Sequence, residues 1–195
     1  NSNLKVLSNI ERITGVKPKF YKVDLRNKNE LNKIFKSHNF NGVIHFAALK
    51  SVSESVNKPK LYHDNNVGST ANLLEIISSS NIKISLIFSS SCTVYGQSKK
   101  LPINESSPVA NQKSPYGQSK KICEEIINKE VNKTKNINAI SLRYFNPIGA
   151  HESSLIGELP NGIPDNLVPY ITQTAIGKRK ELIIFGDDYP TRDGT

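Results

Sequence analysis

A tyrosine and a lysine stand four residues apart in Tyr116-Gly117-Gln118-Ser119-Lys120. On a helix that spacing makes the two side chains neighbours on one face. An ammonium beside a phenol favours the phenolate, so the tyrosine can act as a base well below its usual range. Taken alone, Tyr-x-x-x-Lys arises often by chance, and an exposed surface pair is the plain alternative. The serines Ser89-Ser90-Ser91 supply context, because they end an apolar run over residues 84–88. Open α/β sheets bind their ligands just beyond the carboxyl ends of such strands. A Ser91 hydroxyl there can donate to, or accept from, a reacting oxygen; the bland reading is that it caps the strand.

The elements that must position these groups follow from periodicity. Apolar residues at 4, 6, 7, 10 and 13 predict a first helix, closed by Gly15 and Pro18. Residues 20–24 read as a strand, and Leu31, Ile34 and Phe35 as the buried stripe of a helix running to about His38. Residues 42–48 and 84–88 read as strands buried on both faces. Between them the pattern predicts a helix over residues 62–79, with Val67, Leu73, Leu74 and Ile77 inward. Residues 96–115 are polar and rich in Pro and Ser, a long loop of the functional or disordered kind. A helix over 116–133 buries Ile122, Cys123, Ile126 and Ile127, and residues 139–144 form a further strand. Past Asn146 the chain is rich in Gly and Pro, with a helix near 166–177 and a short strand at 182–185. Strands alternating with helices imply a doubly wound α/β fold, a parallel sheet covered on both sides. Residues 1–145 then form one domain and residues 146–195 part of a second, smaller one.

Composition narrows the classes. The 195 residues carry a formal charge of +9, with 36% hydrophobic residues. That apolar fraction is low but sufficient for a core. The lysines are scattered rather than blocked, so the reading is a solvated basic surface with no nucleic-acid partner, some of the charge serving to draw in an anionic nucleotide. Cys92 and Cys123 have neither zinc spacing nor the density of a disulfide scaffold, and no metal site is expected. No apolar run reaches the ~18 residues of a membrane helix and no signal peptide opens the chain, so the expectation is no membrane association and a cytoplasmic setting.

Longer motifs carry a resemblance. Ser89-Ser90-Ser91-Cys92-Thr93-Val94-Tyr95-Gly96, followed by Ser114-Pro115-Tyr116-Gly117-Gln118-Ser119-Lys120, resembles the extended short-chain dehydrogenase/reductase superfamily. Within it, His45-Phe46-Ala47-Ala48-Leu49-Lys50-Ser51-Val52, Asp64-Asn65-Asn66-Val67 and Arg143-Tyr144-Phe145-Asn146-Pro147-Ile148-Gly149-Ala150-His151 are similar to the UDP-glucose 4-epimerase family of galactose metabolism. The resemblance implies a Rossmann-like fold, bound NAD and a UDP-sugar substrate. It implies Tyr116 as the base at the sugar 4-hydroxyl, Ser91 as its hydrogen-bonding partner, and Lys120 as the group that holds the nicotinamide ribose and lowers the Tyr116 pKa. For NAD it further implies Asp24 and Leu25 on the adenine side, with Phe46, Ala47, Ala48, Leu49, Lys50, Asn65, Ser89 and Phe145 around the remainder. For the UDP-sugar it implies Lys50, Ser91, Tyr116, Asn146, Asn166, Leu167, Ile183, Ile184 and Phe185. Phe46, Ile184 and Phe185 are equally at home in a core. A homodimer through the helices over 62–79 and 116–133 also follows from the resemblance.

Departures from the family pattern matter as much. A dinucleotide pyrophosphate site needs closely spaced glycines at a helix start, and the closest pair here, Gly157 and Gly162, lies in the wrong region. The family's glycine-rich strand–turn–helix would precede Asn1, and its substrate domain would continue past Thr195. The sequence therefore reads as an internal fragment, expected to bind NAD weakly and not to turn over alone. Related dehydratases and decarboxylases place a carboxylate just before Val-Tyr-Gly, where this chain has Cys92 and Thr93. That disfavours both. Epimerases of other nucleotide sugars stay open, as does a non-catalytic nucleotide-sugar binder, although such a binder has no need of Ser91, Tyr116 and Lys120 together.

Overall fold

β-Branched and aromatic runs over 42–45, 84–91 and 137–144 pair as parallel strands β1 (Gly42–His45), β2 (Ile84–Ser91) and β3 (Ile137–Tyr144), in the order β1-β2-β3. Their register aligns His45 with Phe88 and Ser91 with Tyr144, which brings the carboxyl ends of β2 and β3 to one edge. The computed structural model describes residues 3–80, 82–98, 100–109, 112–158, 160, 162–184 and 186–194. It divides into two compact units, Tyr21–Phe145 and a second made of Asn1–Phe20 with Asn146–Thr195.

In the Tyr21–Phe145 unit, helix α2 (Lys28–Ser37) starts where the Asn27 side chain accepts from Glu30 N–H, which satisfies one of the orphan donors of the first turn. Short helices α3 (Val52–Asn57) and α4 (Pro59–Tyr62) run into one turn of π-helix, His63–Val67, and then α5 (Gly68–Ser78). The sequence expectation of one helix over 62–79 thus resolves into three pieces. Helix α6 (Pro115–Lys133) opens on Pro115, with Ser114 Oγ accepting from Gly117 N–H at 3.1 Å.

The core lies between the sheet and α2, α5 and α6, where Leu31, Leu73, Leu74, Ile77, Leu86, Phe88, Cys123 and Ile127 are buried together. Alternate strand residues point the other way, and there Ile44 is 63% and Ile140 61% exposed. The expectation of strands buried on both faces is therefore not met among the described residues. The reason is directional. Crossovers from β1 to β2 and from β2 to β3 step the same way, and right-handed connections stepping one way keep their helices on one face.

Residues 20–24 also depart from expectation. They form no strand, although Val23 and Leu25 pack against the core. A strand exists only by pairing, and no described strand lies beside this segment to complete a ladder.

The second unit contains α1 (Lys5–Thr14), closed by Gly15 in the left-handed region at φ 72°, as a C-terminal glycine does at no steric cost. Asn9 Nδ2 donates to Leu155 O at 2.8 Å, tying α1 to the later segment. Helix α7 (Leu167–Ala175) matches the expected position. Residues 181–184 form no strand, and Phe185 lies outside the described residues. Among the described residues no helix is long and apolar enough to cross a membrane, and no three His, Cys, Asp or Glu side chains cluster as metal ligands.

Candidate active site

Helix α6 and the tip of β2 bring Ser91, Tyr116 and Lys120 together. The Ser91 side chain lies beside that of Tyr116 and acts on its hydroxyl. Lys120 Nζ donates to Ser89 O at 2.7 Å and sits 5.0 Å from the Phe88 ring centre and 5.9 Å from that of Tyr116. Ser91 Oγ accepts from Thr93 Oγ1 at 3.0 Å and from Thr93 N–H at 3.3 Å. With its lone pairs so engaged, its proton is directed elsewhere. The close approach of α6 to the 3-10 turn Cys92–Tyr95 requires Gly117, where a Cβ would stand 3.3 Å from Thr93 O.

Burial dominates the electrostatics. It pushes the Tyr116 hydroxyl up, while the Ser91 hydrogen bond pulls it down. Burial also lowers Lys120 to about 8, with nearby Cys123 acting in the opposite sense. In this arrangement the Ser91 contact favours the Tyr116 phenolate. Tyr62, fully buried, donates to Glu54 and meets the Tyr116 ring edge-on at 6.5 Å, an aromatic wall against it.

Around this centre, Phe46 is 61% exposed and stacks on Tyr144, and Phe145 is also exposed. Ala47 is exposed, Ala48 half-buried, and Lys50 exposed at the end of the same loop. Asn66 fixes that loop: Leu49 N–H donates to its Oδ1 at 2.8 Å, and its Nδ2 donates to Leu49 O at 3.0 Å and to Ser119 Oγ at 3.1 Å. Asn65 Nδ2 donates to the same Asn66 oxygen. The π-turn places both asparagines, and such turns are frequent at functional sites. Asp24 lies apart at the start of α2, its carboxylate clasped by Arg26 and held down to about 2. Leu25 O accepts from Asn72. In the other unit, Asn146 and Leu167 are exposed, as are Ile183 and Ile184, and Asn166 Nδ2 donates to Glu158 at 2.8 Å.

Several residues that the spacing did not single out prove central. Asn66, Thr93, Glu124 and the buried pair His45 and Thr70, 3.0 Å apart, all sit under or beside the site. A polar residue on an apolar helix stripe, as Glu124 is beside Cys123 and Ile127, is the signal that could have found one of them.

His45 yields a pH prediction. Burial first, and the Lys120 charge second, lower it from 6.5 to about 4. The unfolded chain then binds the extra proton between those values, so stability falls as pH drops from 6.5 towards 4. The loss attributable to this group is about 3 kcal/mol once pH is below both values. Denaturant unfolding of wild type and His45→Gln at pH 7 and pH 4 checks it. Equal pH dependence in the two proteins would remove His45 as the cause.

A half-buried tyrosine and a buried lysine side by side at the carboxyl edge of a parallel sheet mark a Rossmann-like protein of the extended short-chain dehydrogenase/reductase type. The chain belongs to the family described as GDP-mannose 4,6 dehydratase, whose model matches residues 1–195. It is 49% identical over its whole length to a UDP-glucose 4-epimerase of Neisseria meningitidis serogroup B, and spans 57% of that relative. A solved UDP-glucose 4-epimerase from Bifidobacterium longum, in complex with NAD+ and UDP, superposes with a TM-score of 0.94 at 47% identity, with 100% of this chain and 58% of that one covered. One from Stenotrophomonas maltophila, with bound NAD and formylated UDP-arabinopyranose, gives 0.92 at 42% identity, with 100% and 57% covered. The chain thus spans a little over half the length of the relatives it matches.

Proposed function

We propose that the full-length protein interconverts UDP-galactose and UDP-glucose, oxidising the sugar at C4 and returning hydride to the other face, within galactose metabolism. The observation that carries this is the Ser91–Tyr116–Lys120 arrangement with no carboxylate in the adjoining turn. Expelling water from a sugar needs an acid placed for the leaving group. Here residues 92 and 93 are Cys and Thr, and Glu124 is clasped by Arg143. The dehydratase named by the family description is therefore the second reading, and a non-catalytic nucleotide-sugar binder the third.

The donor set fits the nicotinamide-ribose end of NAD. Lys120 spends one N–H on Ser89 O, and an ammonium has two more donors suited to a vicinal diol. NAD, when bound, supplies the hydride acceptor and then the hydride donor. Tyr116 takes the proton of the sugar 4-hydroxyl as the C4 hydride leaves, giving a 4-keto sugar, and returns it as hydride comes back. Ser91 gives its hydrogen bond to the Tyr116 oxygen or to O4 and holds the two in line. Phe46, Leu49, Asn65 and Phe145 line the cofactor side in this reading, and Asn146, Asn166, Leu167, Ile183 and Ile184 the UDP-sugar side. A homodimer and a cytoplasmic setting belong to the same proposal.

The test is an assay of the full-length protein with UDP-galactose, UDP-glucose and GDP-mannose, products separated chromatographically. Interconversion of the UDP-hexoses is expected. Dehydration of GDP-mannose, or binding without conversion, would overturn the reading. The 195-residue segment in the same assay should stay at background, since it lacks closely spaced glycines for a pyrophosphate.

A further inference from the structure

Three consecutive serines at the tip of β2 each lie against a different residue of one α6 stripe. Ser89 O accepts from Lys120 Nζ and Ser90 Oγ donates to Glu124 Oε1, while Ser91 lies beside Tyr116. Residues 116, 120 and 124 are one helical turn apart, so they share a face. The middle contact is the one the proposed reaction does not use. Glu124, 6% exposed, also accepts from Arg143 Nε at 3.0 Å and from Arg143 Nη2 at 2.7 Å, a bidentate pair reaching over from β3. The Arg143 guanidinium lies 4.8 Å from the Tyr95 ring centre, which ties in the turn that follows Ser91. One carboxylate thereby joins α6, β2, β3 and that turn at the strand ends.

We infer that Glu124 and Arg143 form a positioning pair for the Ser91–Tyr116–Lys120 centre, Arg143 holding the Glu124 charge away from Lys120 one turn back. The inference rests on the proposed epimerase reading. Its physical logic has two parts. Tying Ser90 to α6 fixes the register of the helix against β2, and with it the distances from Tyr116 to Ser91 and from Lys120 to Ser89 O. Arg143 engages both carboxylate oxygens, so a buried negative charge is neutralised where it would otherwise compete for the Lys120 ammonium. The charged and titratable groups around Lys120 are Tyr116 and Cys123 on α6 and His45 from β1. Those at Glu124 are Arg143 and, through it, Tyr95, with Cys123 beside it on α6.

The experiment uses the full-length protein with Arg143→Met, Glu124→Gln and the double variant. Releasing the carboxylate in Arg143→Met lets it compete for the Lys120 ammonium beside Tyr116, so the rise of kcat with pH moves to higher pH. A loss of roughly tenfold in kcat at neutral pH is expected, with KM for the UDP-sugar changed much less. Ultraviolet phenolate titration, differenced against Tyr116→Phe, must move in the same direction. Removing the carboxylate as well, in the double variant, returns both profiles towards the wild-type pH. Arg143→Lys keeps the charge but loses the fork, and gives a smaller shift of the same sign should Arg143→Met fail to fold. Unmoved profiles in both Arg143 variants, or a double variant as shifted as Arg143→Met, would overturn the inference and leave a stability role. A wild type that does not epimerise would instead sink the reading beneath it, and the phenolate titration would still report on the pair.

Discussion

Replacing Tyr116 by Phe in the full-length protein lowers kcat by about 10²- to 10⁴-fold and leaves nucleotide-sugar affinity within a few-fold. The substitution removes one oxygen and keeps the ring, whose edge-on contact with Tyr62 holds the α6 terminus in place. What is lost, in the proposed reaction, is the acceptor for the sugar proton and the neighbour of the Ser91 hydroxyl. The expected signature is therefore a fall in kcat with binding intact, checked by steady-state kinetics beside calorimetric titration with UDP-sugar. A kcat within tenfold of wild type would show that Tyr116 is not the base.

Phe88→Ala carries the second large effect, a loss of about 3–5 kcal/mol in unfolding free energy. The ring is 2% exposed at the centre of β2, packed among Leu86, Cys123 and Ile127, with His45 at 5.8 Å. Truncation removes its transfer free energy and leaves a void that neighbouring strands can only partly close. The same ring floors the site, 5.0 Å from Lys120 Nζ. Water entering the void relieves the burial that lowers Lys120 to about 8, so its titration moves back towards 10.5. Urea unfolding measures the first effect and chemical-modification rates of Lys120 against pH the second. A stability loss below about 1 kcal/mol would mean that the site collapses around the missing ring.

Much of this was legible in the residues themselves. Spacing placed Tyr116 and Lys120 on one face of α6, and the apolar run into Ser89-Ser90-Ser91 put the serines at a strand end, because helical and extended periods are local properties of the chain. The left-handed stop at Gly15 and the cap at Ser114 are local in the same way.

Pairing and burial are not local. Residues 20–24 look like a strand but have no described strand beside them, and Ile44 and Ile140 look like core yet are exposed. The sheet's one-sided covering comes from the order β1-β2-β3, which no single segment encodes. Tertiary structure likewise decided that burial outweighs the Ser91 contact at Tyr116, and that Asn66 and Glu124 find their partners in Leu49, Ser119, Ser90 and Arg143. The sequence by itself determined which groups could do chemistry and on which elements they ride. Which of them meet, and with what pKa, depended on desolvation and on contacts between residues far apart in the chain, and those exist only once the elements pack.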